Sequence, residues 1–68
     1  MFCLTEIREH YSFNDTPPVL LETEEVDIYF AIEEICKEYK KMMLSRIIRG
    51  KNTDYYVVSD INITEAQL

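Results

Sequence analysis

The chain predicts an α+β fold of two layers in ββαβ order, with a small antiparallel sheet packed against one long amphipathic helix. Three observations carry that expectation. Apolar residues recur at helical spacing through residues 24–49, turn formers separate two short extended stretches near the amino terminus, and residues 55–63 are rich in β-branched and aromatic side chains. A two-layer packing buries the helix stripe and one side of each strand together. No internal repeat, low-complexity run or composition break divides residues 1–68, so a single domain is expected.

Residues 1–11 alternate as a strand, with Cys3, Thr5, Ile7, Glu9 and Tyr11 on one side and Phe2, Leu4, Glu6, Arg8 and His10 on the other. Neither side is cleanly apolar, so the assignment leans on the adjoining segment. Asn14, Asp15, Thr16, Pro17 and Pro18 make a turn, and Val19, Leu20 and Leu21 a brief second strand. Thr23 stands where a hydroxyl caps the helix. Ile28, Ile32, Ile35, Tyr39 and Met42 then form the apolar stripe, with Tyr29, Cys36, Met43 and Ile47 beside it. Glu24, Glu25 and Asp27 at the start and Arg46 and Arg49 at the end oppose the helix dipole, and Gly50 is the expected stop.

A polar loop of Lys51, Asn52, Thr53 and Asp54 leads into the last strand. Tyr55, Val57, Ile61 and Ile63 fall on one face of it, Tyr56, Val58, Asp60 and Asn62 on the other, and residues 64–68 form a polar tail expected to fray. The alternative fold is mostly α, with a short first helix over residues 5–12 and one C-terminal strand. A helix of this span reaches about 39 Å at 1.5 Å per residue, against about 30 Å for a nine-residue strand. Met42, Met43, Ile47 and Ile48 are therefore expected to overhang the sheet, unless the helix breaks near Leu44 and Ser45.

With 68 residues the core is small, and burial of further apolar surface by self-association is expected. A formal net charge of −6 opposes loose binding to phosphate backbones or anionic membranes. No apolar run has the length of a membrane span, and the amino terminus lacks a signal-peptide pattern, so a cytoplasmic protein with no membrane partner is expected. Cys3 and Cys36 fit that setting, because a small secreted domain carries a fuller set of bridges.

Chemistry-bearing motifs are scarce. His10 is the sole histidine, neither cysteine has a second cysteine at zinc or redox spacing, and Gly50 as the only glycine rules out a glycine-rich phosphate loop. Carboxylates abound, yet an acid and base pair needs a cleft that shifts their pKa values. No enzyme activity, cofactor or metal is expected.

Charge is distributed in blocks. Residues 1–36 hold nine acidic residues against Arg8, while residues 37–51 hold six basic ones against Glu38. The acidic cluster Glu22, Glu24, Glu25 and Asp27 is suited to steering a basic partner, and it is also what a helix amino terminus prefers. In size and charge alone the chain is similar to small acidic proteins of phages and other mobile elements that disable host enzymes. The expected function is a non-enzymatic protein-protein interaction module, an inhibitor or adaptor, that self-associates. Its contacts are expected at Tyr56 and Val58 on an open sheet face, at Met42, Met43 and Ile47 on the projecting helix end, and at the acidic cluster. The competing expectation is nucleic-acid or nucleotide binding, with Lys37, Lys40, Lys41, Arg46, Arg49 and Lys51 on phosphates and Tyr55 or Tyr56 stacked on bases.

Overall fold

The computed structural model describes residues 1–12, 14–50 and 54–67. The loop residues Lys51, Asn52 and Thr53, and Leu68 of the tail, lie outside them. The expected first strand is present as β1 (Phe2–Ser12), and it is followed by β2 (Leu20–Phe30), α1 (Glu33–Met43), β3 (Ile47–Arg49) and β4 (Asp54–Glu65). The sheet is antiparallel throughout, in the order β2-β1-β4-β3, with α1 against one face. The α+β class holds, while a fourth strand and a much shorter helix replace the ββαβ layout.

The largest correction falls on residues 20–30. They form a strand eleven residues long where the sequence pattern predicts three residues of strand and the start of the helix. Val26, Ile28 and Phe30 satisfy a period of two as well as Ile28, Ile32 and Ile35 satisfy a helical one, and the second half of the strand holds the β-branched and aromatic Val26, Ile28, Tyr29 and Phe30. Pairing decides between the two periods. β1 offers Phe2, Leu4 and Glu6 opposite Phe30, Ile28 and Val26, and Arg8 opposite Glu24, so a full ladder forms. Thr23, expected as a helix cap, lies inside β2 opposite Glu9.

Helix α1 keeps the predicted charge logic on a reduced scale, with Glu33 and Glu34 in its first turn and Lys40 and Lys41 in its last. Ile32 at its N-cap makes no side-chain capping bond. The helix ends at Met43, close to the break anticipated at Leu44 and Ser45. Leu44 N–H donates to the Lys40 carbonyl, and Ser45 takes a left-handed φ of 66°, the conformation that the sequence assigns to Gly50. Ser45 N–H then donates to the Val58 carbonyl at 2.8 Å, which turns the chain into β3. Gly50 has no positive φ. Its lack of a side chain serves a close approach instead, since a Cβ there would lie 2.6 Å from Asp54 Oδ1.

An eleven-residue helix is about 16 Å long, and the molecule measures 42 × 19 × 17 Å. The predicted overhang is thus reversed: the sheet outruns the helix. Leu4, Cys36, Met43, Val58 and Ile61 form the buried core, with Phe2, Ile28, Phe30, Tyr39 and Ile63 packed around it. Beyond the reach of α1 the same sheet side carries polar groups.

A β-bulge sets which residues of β4 face the helix. Ile7 is opposite Asp60 and Arg8 opposite Val58, so Ser59 is the extra residue of β4 and the alternation changes phase there. Tyr56 and Val58 consequently share the helix side with Ile61 and Ile63. The expectation of an open apolar face built on Tyr56 and Val58 is corrected: Val58 is fully buried and Tyr56 half-buried. On the open side, Thr5 lies between Asp27 and Asn62, Glu9 between Thr23 and Val57, and Cys3 between Tyr29 and Thr64. Most of these side chains are polar. The strand also extends through Glu65, and Ala66 N–H donates to the Met1 carbonyl at 2.8 Å, where the sequence predicts fraying.

Candidate functional site

Three features stand out on this frame. The first occupies the sheet area that α1 does not reach. Glu6 is fully buried, its carboxylate taking Arg8 Nε at 2.5 Å on one oxygen and the Tyr39 hydroxyl at 3.2 Å on the other. The Arg8 guanidinium lies 4.8 Å from the centre of the Tyr56 ring and 3.8 Å from Glu24, and Glu24 also meets His10 Nε2 at 3.1 Å. Strand periodicity makes the cluster. Glu6, Arg8 and His10 at alternate positions of β1 share a face with Glu24 of β2 and Tyr56 of β4.

Burial acts to lower the pKa of Arg8, and the bond to Glu6 and its charge outweigh it, leaving the guanidinium more firmly protonated. Burial, followed by the Glu6 charge, raises the Tyr39 phenol, and burial raises the Cys36 thiol. These two shifts favour the protonated forms in the folded state, so their stabilisation is complete below the ordinary values and is lost as pH climbs through the raised ones. Urea midpoints are expected to hold steady up to the ordinary thiol value of 9.0 and to fall beyond the ordinary phenol value of 10.0. A midpoint unchanged well above that point would contradict the arrangement.

The cluster is closed at its Glu6 end. Glu6 has no exposed surface, and both of its oxygens are engaged. No group of three His, Cys, Asp or Glu side chains among the described residues is arranged to hold a metal ion. The cluster's evident role is to hold β1, β2, β4 and α1 together where apolar packing ends.

The second feature is β2 itself. It is an edge strand whose outer backbone groups face no other strand among the described residues. Glu22, Glu24, Glu25 and Asp27 are all exposed on it, with no cation in the strand. Glu24 is held by Arg8 and His10, and Asp27 accepts from Thr5 Oγ1 at 2.7 Å. Glu22 and Glu25 make no ion pair with any described residue. The acidic cluster expected at a helix start lies on a strand instead.

The third feature is an apolar cleft of about 570 Å³ between the end of β2 and α1, lined by Phe30, Ile35, Glu38, Tyr39, Lys41 and Met42. Ile35 and Met42 are more than half exposed. The helix buries Cys36 and Met43 and leaves the predicted stripe largely in solvent.

The expected contact residues are therefore dispersed. Met42 is exposed on α1 and Ile47 on β3, where a projecting helix end was expected, and Met43 is buried in the core, a correction with the same cause as that at Val58: each sits where α1 and the sheet meet. The described basic residues are spread over α1, the turn after it and β3, and Lys51 lies outside the described residues. Lys37 is paired with Glu33 at 2.8 Å and Lys41 with Glu38 at 3.6 Å, Lys40 is half-buried, and Arg46 lies in the turn before β3. Arg49 is opposite Tyr55, while Tyr56 points to the other sheet face opposite Ile48 and His10.

No family model, no curated protein and no solved structure matches this chain. No helix among the described residues is long and apolar enough to cross a membrane.

Proposed function

We propose that this chain is a non-enzymatic interaction module, an adaptor or inhibitor acting in the cytosol, that takes up an extended basic segment of another protein along the outer edge of β2. The observation that carries the reading is an eleven-residue edge strand bearing four exposed carboxylates and no cation. An added strand supplies the missing backbone hydrogen bonds, and its lysines or arginines meet Glu22, Glu25 and Asp27. The same carboxylates disfavour an acidic or uncharged strand, so the edge is selective as well as available.

The test uses a synthetic ten-residue peptide of alternating lysine and valine, titrated into isotope-labelled protein at low salt. Amide shifts are expected along β2, with binding that weakens as salt is raised. Glu22→Lys with Glu25→Lys should abolish them without altering the circular dichroism, since neither carboxylate supports the fold. Shifts centred elsewhere, or binding indifferent to the double substitution, would refute the reading.

A further inference from the structure

The flank of α1 beside the cleft presents Ile35 and Met42, 53% and 58% exposed, with Tyr39, half-buried against the core, between them. We propose that a second copy of the chain covers this stripe, the two α1 helices lying antiparallel about a two-fold axis. The inference is independent of the sheet-edge reading.

The order of charges along the helix selects both the occupant and the direction. Glu33 and Glu34 occupy the first turn and Lys40 and Lys41 the last. Antiparallel copies set each acidic turn against the partner's basic one, whereas parallel copies set like on like. Glu34 and Lys41 are seven residues apart, two helical turns, so they flank the stripe on one side at its two ends. Glu34 makes no ion pair with any described residue and is exposed, so it is available to Lys41 of the second copy. A two-fold axis near Tyr39, midway along the stripe, brings Ile35 of each copy towards Met42 of the other, leaves Glu38 to its own Lys41, and closes the assembly at two.

The sheet edges do not offer this self-complementarity. Two β2 strands side by side would oppose eight carboxylates with no cation, counting the four of each copy, and β3 is only three residues long. The helix stripe is the surface that suits a second copy. A stable specific interface buries about 800 Å² on each partner, roughly a sixth of this chain's 4913 Å². One short helix face supplies a contact at the weak end of that class, with a dissociation constant on the order of micromolar.

Sedimentation velocity across a concentration series reads the prediction directly. The mass should rise from 8.1 kDa towards twice that value as concentration passes through the micromolar range. Ile35→Lys should hold the chain at one copy throughout, with unchanged circular dichroism; Met42→Lys is the second variant should the first lose structure. Glu34→Lys and Lys41→Glu should each weaken the dimer about two- to fivefold, and the two together should restore it, because each copy then presents the swapped complement. A single copy at every concentration, a dimer indifferent to Ile35→Lys, or a double swap no better than either single change would each overturn the proposal.

Discussion

Replacing Arg8 by alanine is expected to cost the fold about 3 to 5 kcal/mol, because it leaves the carboxylate of Glu6 buried with only the Tyr39 hydroxyl for company. Whole domains are stable by about 5 to 15 kcal/mol, and a chain of this size belongs at the low end, so the variant should be largely unfolded near body temperature. The converse experiment separates the pair's net worth from the penalty of breaking it. With Glu6 and Arg8 both replaced by methionine, two apolar side chains of similar length fill the space, and stability should return to within about 1 to 2 kcal/mol of the natural chain. Tyr39 is half-exposed, so its hydroxyl finds water when Glu6 is gone. Urea unfolding of the two variants checks both statements. An Arg8→Ala protein within about 1 kcal/mol of the natural one would show that the Glu6 carboxylate does not depend on Arg8.

The second large effect is expected at Val58, which simple alternation assigns to an open sheet face. Val58→Lys places an ammonium at a site with no exposed surface and directly opposite the cation Arg8, a change in the class that costs more than about 4 kcal/mol, and the circular dichroism of a folded sheet should be lost. Val57→Lys should be tolerated within about 1 kcal/mol, since Val57 faces the open side opposite Glu9, where a cation meets an acid. The contrast between adjacent residues tests the bulge itself. If Val57→Lys unfolds the protein and Val58→Lys does not, Ser59 is not the extra residue of β4.

Parts of this architecture are legible residue by residue. The alternation of Phe2 to Tyr11, the turn formers Asn14 to Pro18 and the strand around Tyr55 to Ile63 carry local signals that correspond to observed features, whereas the helix expected to run to Gly50 ends at Met43. The acidic cluster is visible as a run of carboxylates, and Met42 and Ile47 are exposed, although Ile47 lies on β3 and not on a projecting helix end. The Glu6, Arg8 and His10 cluster is not visible, because its members acquire meaning only once Glu24 and Tyr56 are laid beside them by strand register. Its faint trace in sequence is the spacing of two between successive polar residues on β1.

Composition, turn chemistry and periodicity act over a few neighbours, and they are enough to establish an α+β chain with a strand at each end, an amphipathic helix between them and charge segregated into acidic and basic blocks. Long-range pairing was needed to make residues 20–30 a strand and to shorten the helix to Glu33–Met43. Ile28 fits either period, and the backbone hydrogen bonds that break the tie belong to β1, some twenty residues away in the chain. The same holds for Val58, whose burial rests on one unpaired residue in a ladder: a phase change of one position moves every following side chain to the other face, and no local preference records it.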